Sequence, residues 1–332
     1  MLSRRRQDPF VRSMLTWFAD FPSSSSDFSV YSLHNMVCAG VSKYDKLPGE
    51  WYGPGTACYV LRDLVQMHER QQAGSKTPVD KKIFRVHVAT QGAVYRDEIQ
   101  NLMTRDAKAL FEEEKKKKVG ERPLAHPLDQ QWEEELIDSV ESSEWDTALL
   151  LLIPLRLGLK SFNEDYVKAV AHTFSLPQSV GVLGGRPRGA RWFYGALSDG
   201  SKILGLDPHT VQNAPRRRTA RVNGKSSSVV DLSDDYMRSV HTTYPEVFSL
   251  LKMDPSVALG FYCRSKADLD SLFVSVQSWK EDNPDSPELF SVADAVPNYN
   301  ANVSSAMNDM MMSSCSLADE DTMSDEDEYV ML

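Results

Sequence analysis

The chain has 332 residues, of which 41% are hydrophobic and 25% charged, with a formal net charge of −10. Those proportions support one large or two ordinary globular domains. They exclude a bilayer-spanning helix, because no apolar run reaches the ~18 residues required; the longest, Ala148 to Leu159, is broken by Pro154 and Arg156. Eight of the ten net negative charges fall between residues 301 and 332, where there is no Lys or Arg. The body is therefore close to neutral and carries no basic field for nucleic acid. The four cysteines form no C-x-x-C pair, and the seven histidines show no metal-ligand spacing. The expectation is a reducing, cytoplasmic protein without metal or cofactor. The basic start Met1 to Arg6 has no apolar core behind it and does not read as a secretory signal.

Residues 1–50 read as loop-rich, with a serine cluster at Ser23 to Ser26. Gly53-Pro54 opens a helix, since a proline at the first helical position loses no hydrogen bond. Ala57, Val60, Leu61 and Leu64 then recur at helical spacing. A strand fits Ile83 to Ala89. Residues 104–145, with Glu112 to Lys118 fully charged, read as a solvated and partly helical insertion. Leu149 to Gly158 is a short apolar run of the kind that forms a buried strand. Asn163 caps a following helix whose buried stripe is Val167, Val170, Ala171 and Phe174, ended by Pro177. Short strands follow at Ser179 to Leu183, Arg191 to Leu197 and Lys202 to Asp207. Gly184-Gly185 and Asp199-Gly200 are read as turns between them. A last strand fits Val257 to Cys263. The order of elements predicts an α+β domain with a largely antiparallel sheet over residues 1–297, and a disordered acidic tail over 298–332.

One segment carries chemistry. In Leu206-Asp207-Pro208-His209-Thr210, side chains two residues apart in an extended chain share a face. Asp207 and His209 then stand side by side, with Pro208 stiffening the link. A carboxylate beside an imidazole fixes the tautomer and stabilises the imidazolium, which is the orienter-and-base half of a nucleophilic triad.

That segment closely resembles the catalytic Asp-Pro-His of the autophagy cysteine protease family, papain-like enzymes that process a ubiquitin-like autophagy modifier. Further blocks resemble the family in order: Ser32 to Gly40, Gly49 to Pro54, Ile153 to Gly158, Pro177 to Pro187, and Met253 to Tyr262. The resemblance implies a papain-like fold with Asp207 and His209 as triad members. It also implies Trp51 and Pro187 as a gate over the groove that takes the substrate tail. The implied activity is that of a cysteine endopeptidase which cleaves after the modifier's C-terminal glycine and releases the modifier from phosphatidylethanolamine. Membrane contact would then be peripheral, through the lipidated substrate.

The family's nucleophile belongs to a Gly-Trp-Gly-Cys-type segment upstream of the Trp-Tyr-Gly-Pro block, and the 50 residues before Trp51 contain no such motif. The reading is a peptidase domain incomplete at its N-terminus and inactive alone; the alternative is a catalytically dead module that binds the modifier. Cys58, in the first turns of the predicted helix, is a further thiol candidate, although the family does not use that position. Cys38 and Cys263 read as packing cysteines. In the tail, Asp325 to Glu328 lead into Tyr329-Val330-Met331-Leu332. An aromatic and an aliphatic three apart after acids suit β-strand addition, and they resemble the short motifs that bind the modifier, with Tyr329 and Leu332 as anchors. An unrelated α+β hydrolase is the third reading.

Overall fold

The computed structural model describes residues 11, 14–20, 29–73, 84–105, 145–186, 189–197, 200, 202–211, 213–222, 225–241 and 244–297, with the backbone alone for 216–222 and 225–231. The chain divides into two units, Met1–Asp294 and Ala295–Leu332, and the fold that follows belongs to the first. The charged insertion and the acidic tail lie outside the described residues.

The helices are α1 (Leu33–Tyr44), α2 (Pro54–Ala73), α3 (Arg96–Thr104), α4 (Val167–Thr173), α5 (Asp234–Ser239) and α6 (Lys266–Asp282). The strands are β1 (Arg85–Val88), β2 (Ala93–Tyr95), β3 (Leu149–Arg156), β4 (Ser179–Arg186), β5 (Gly189–Ala196), β6 (Lys202–Leu206), β7 (Arg216–Val222), β8 (Lys225–Asp231), β9 (Glu246–Ser249), β10 (Ser256–Cys263) and β11 (Ser291–Ala293). Seven strands form one sheet in the order β1-β3-β10-β4-β5-β6-β9. Only β1 and β3 run parallel within it. The fold is α+β with a mostly antiparallel sheet.

β3 explains why the sheet is two-sided. Leu149, Leu151 and Ile153 point into one cluster with Val257, Leu259, Phe261 and α6's Leu269, Leu272 and Phe273. Leu152 points the other way, to Cys58, Val60, Leu64 and Val65 of α2. A strand buried on both faces needs a continuous apolar run, which is what Leu149 to Leu155 supplies. On α2 the buried stripe includes Cys58 and Val65, whereas Ala57 and Leu61 are half-buried. The Asn163 cap is present, its side chain accepting from the Asp165 amide at 3.1 Å, but the first turn is 3-10. Ala169, Val170 and Thr173 are the buried positions of α4, not Ala171.

Gly184-Gly185 is not a turn. β4 runs through both to Arg186, which pairs with Gly189 of β5. The glycines serve close approach instead: a Cβ on Gly184 would lie 2.5 Å from Met253 Cε, and one on Gly185 2.4 Å from Gly189 O. Gly200, with φ +68°, does close the β5–β6 hairpin as expected.

Arg85 is a charged side chain built into the fold. It is 4% exposed. Its Nε donates to Glu69 (2.7 Å), Nη1 to the carbonyls of Leu102 (2.9 Å) and Met103 (2.7 Å), and Nη2 to Arg105 O (2.9 Å). It thereby satisfies the open carbonyls at the end of α3. Arg85→Met strands those acceptors and the Glu69 carboxylate, so it is expected to cost about 3–5 kcal/mol in urea unfolding.

Candidate active site

β6 ends at Leu206, and the next three residues leave the sheet as irregular chain. The Asp207 carboxylate accepts the His209 amide at 2.9 Å, and the same Oδ1 lies 2.6 Å from His209 Nδ1. The pairing thus depends on an Asx-type turn as well as on extended alternation: the carboxylate folds back onto the backbone two residues ahead and draws the imidazole with it. Both side chains are solvent-accessible, 41% and 44% exposed. Among the described residues, no hydrogen-bond partner stands against His209 Nε2.

A third group, unanticipated from the sequence, holds the carboxylate. Arg191 on β5 donates through Nη2 to Asp207 Oδ2 at 3.2 Å. The same guanidinium pairs with Glu246 on β9 and donates to Gly189 O at 2.7 Å. The backbone and ring hydrogen bonds from His209, in that order, and then the Arg191 charge hold the Asp207 carboxyl below the usual carboxylate range.

The sheet register locates this rim. Pro154, Ala258, Leu183, Trp192 and Leu206 are successive cross-strand partners on one face. At one end Pro154 Cβ lies 3.8 Å from the position a Cβ would take on Gly55, in the first turn of α2. At the other end Leu206 leads into Asp207. Four strand spacings separate the ends, about 19 Å. Trp51, 40% exposed, precedes α2 at the far end, with no hydrogen bond or ring contact to Asp207 or His209. Pro187, Tyr329 and Leu332 lie outside the described residues.

Between those ends the described residues leave part of the face uncovered. α2 packs on β1, β3 and β10. Over β4, β5 and β6 the same face presents Val180 (37% exposed), Tyr194 (46%), Leu206 (38%) and a half-buried Trp192. The Trp192 indole donates to Val180 O at 2.9 Å and lies across Gly181, where φ is +121° and any Cβ would meet Phe193 O at 2.1 Å. The result is an apolar bay beside α2, with Asp207 and His209 on its rim.

None of the described cysteines has a sulfur within hydrogen-bonding reach of His209. Cys58 and Cys263 are buried, and burial pushes each thiol up to about 12. At neutral pH both are therefore protonated and poor nucleophiles. Cys38 on α1 is exposed, contrary to the packing role expected for it.

An α+β domain with a carboxylate-oriented imidazole at the rim of an antiparallel sheet belongs to the papain-like class of cysteine peptidases. Residues 2–275 match the Peptidase C54 catalytic domain, and the chain belongs to that family. It is similar to the cysteine protease ATG4B of Xenopus laevis, with 31% identity over 281 residues, 82% of this chain and 61% of the relative. Cysteine protease ATG4B of Gallus gallus is 32% identical over 269 residues, 80% of this chain and 58% of the relative. Cysteine protease ATG4a of Arabidopsis thaliana is 33% identical over 273 residues, 82% of this chain and 49% of the relative. The chain thus spans between about half and three fifths of the length of these curated relatives.

Two outcomes are expected in solution. Alkylation by iodoacetamide at pH 7, followed by peptide mass spectrometry, modifies Cys38 in the native chain, and Cys58 and Cys263 only after unfolding. In a 13C titration, the Asp207 carboxyl stays ionised to lower pH than a model aspartate. The tie to His209 is present above that depressed pKa and is lost as pH falls through it.

Proposed function

We propose that this chain belongs to a cysteine endopeptidase that cleaves after the C-terminal glycine of a ubiquitin-like autophagy modifier and releases the modifier from phosphatidylethanolamine in the cytoplasm. The observation that carries the reading is the Asp207–His209 contact of 2.6 Å on the rim of an open apolar bay, in a Peptidase C54 domain. His209 acts as general base toward a thiol and then as general acid toward the leaving amine, while Asp207 holds its Nδ1 proton and stabilises the imidazolium. Arg191 positions Asp207. Membrane contact is peripheral, through the lipidated substrate.

The thiolate does not come from Cys58 or Cys263, whose burial keeps them protonated. We assign it to a segment that seats in the bay over β4, β5 and β6. About 10 Å separates the outer two of these strands, the width that one packed helix covers. A thiol at a helix N-terminus beside an imidazole ionises readily. The retained Asp–His geometry favours catalysis over a pure binding module, which needs no oriented base. Trp51 and Pro187 would flank the passage for the substrate's slim tail. Tyr329 and Leu332 would anchor the modifier by strand addition.

The test is a modifier fused at its C-terminal glycine to a reporter. The 332-residue chain alone is expected to leave the fusion intact. Supplied with a segment that brings a Cys thiol to His209, it is expected to cleave. In that setting His209→Ala removes cleavage, and Asp207→Asn lowers kcat by about 10⁴ while leaving substrate binding in place. Cleavage that survives His209→Ala would sink the reading. Pull-down of the modifier is expected to weaken in Tyr329→Ala and Leu332→Ala. An unchanged pull-down removes the tail from the assignment and leaves the rest standing.

A further inference from the structure

Beside the Arg191–Asp207 tie the sheet carries a second feature that the peptidase reading does not use. A cavity of about 490 Å³ runs along β9, the last strand of the sheet, and is lined by Arg186, Arg191, Lys202, Glu246, Phe248 and Lys252, with Val247 and Ser249 completing the wall. Four cations thus face one carboxylate. Glu246 is already engaged by Arg191, which also holds Asp207. Arg186, Lys202 and Lys252 are exposed and have no ion-pair partner among the described residues.

Such a cluster is costly without a ligand. Like charges gathered in one recess repel, and a chain with net charge −10 has carboxylates enough to neutralise them. Among the described residues Glu246 is the one carboxylate that lines the recess. The recess is also shaped by something other than charge. The guanidinium carbons of Arg186 and Arg191 lie 5.3 and 5.7 Å from the ring centre of Phe248, so the aromatic face holds both planes while their edges stay available. Pre-set guanidinium forks with mobile ammonium groups opposite suit an anion with several oxygens and more than one charge. Ser249 adds a neutral hydroxyl donor. A carboxylate, with two oxygens and one charge, would leave donors unmatched.

We propose that this cavity is a phosphate-binding site, taking a phosphate-bearing ligand in contact with Arg186, Lys202 and Lys252. The volume falls in the range of small-molecule sites, large enough for a sugar or inositol phosphate or a phospholipid headgroup. Sequence placement agrees. The chain that joins the two lining strands β6 and β9 carries the β7–β8 hairpin, in which Arg216, Arg217, Arg218, Arg221 and Lys225 precede the first acid, Asp231. These cations follow β6 and precede β9 in the sequence, while β6 and β9 themselves pair directly. The proposed ligand contacts at Arg186, Lys202 and Lys252 use neither His209 nor a thiol, while Arg191 in the wall also holds Asp207.

Isothermal titration of inorganic phosphate into the 332-residue chain, and flotation with phosphatidylcholine vesicles with and without phosphatidylinositol 4-phosphate, test the site. Binding is expected, and Lys202→Glu with Lys252→Glu should weaken it about tenfold or more. Lys160→Glu, an exposed cation elsewhere, should not change it. Both substituted lysines are exposed, so circular dichroism should match the parent chain. Binding of inorganic phosphate without flotation identifies a soluble phosphate compound as the source. Flotation only with the phosphoinositide identifies a lipid headgroup. Either supports the site. No binding in both assays, or binding indifferent to the double substitution, overturns it. So does tighter capture of polyglutamate than of phosphate, which would make the cavity a groove for an acidic peptide.

Discussion

The His209 amide donates to Asp207 Oδ1, and the ring of the same residue meets the same oxygen at 2.6 Å. Two hydrogen bonds from one residue to one oxygen close a small ring of covalent and hydrogen bonds, so the imidazole is held by the backbone that carries it. That economy explains why an exposed pair keeps its geometry. Exposed ion pairs are usually weak because two long side chains must be ordered in high dielectric. Here Asp207 is short, its partner is two residues away, and Pro208 between them has a fixed φ. Little conformational freedom is left to lose.

Arg191 shows how the sheet reinforces this local device. β5 and β6 pair from the Gly200 turn, with Ala196 opposite Ile203 and Gly195 opposite Leu204. An uninterrupted ladder would continue to place Trp192 opposite Asp207. A bulge between Phe193 and Gly195 shifts the register, so Trp192 opposes Leu206 instead. One residue of shift exchanges the faces of everything beyond it. Arg191, not the indole, then reaches the Asp207 carboxylate, and Trp192 turns to the bay. The bulge thus sets both the electrostatics of the pair and the apolar lining beside it.

The contrast marks what a sequence can disclose. The Asp-Pro-His segment was legible because its geometry is local: three residues and a proline define it. The β3 run was legible because burial on both faces leaves no polar position. The start of α2 followed from Pro54. By contrast, Arg191 could not be found from spacing, because its role depends on a bulge that no residue type announces. Gly184-Gly185 misled for a related reason. Paired glycines serve turns and close backbone approach equally well, and only the presence of Met253 and Gly189 O decides between them. Helix α6 was missed because its buried residues, Leu269, Leu272 and Phe273, are spread thinly among charged and small ones. The exposed Cys38 was misjudged because a cysteine's usual burial is a tendency of the residue and not of the site.

The two faces of the sheet carry the functional argument furthest. One is sealed across the sheet from β3 to β6, where Phe193 and Ile203 are as fully buried as Leu151 and Phe261. The other is sealed only as far as α2 reaches, and beyond it Val180, Tyr194 and Leu206 stand in solvent. Exposed apolar side chains scattered singly need no explanation. Here Val180 and Leu206 are joined through Trp192, whose indole donates to Val180 O and which pairs with Leu206, and a contiguous patch marks a surface that another element covers. In the proposed reading the thiol that His209 serves would come from such a covering element. In the cysteine peptidase reading proposed above, an element seated on that face and the Asp207-oriented imidazole would together make the site.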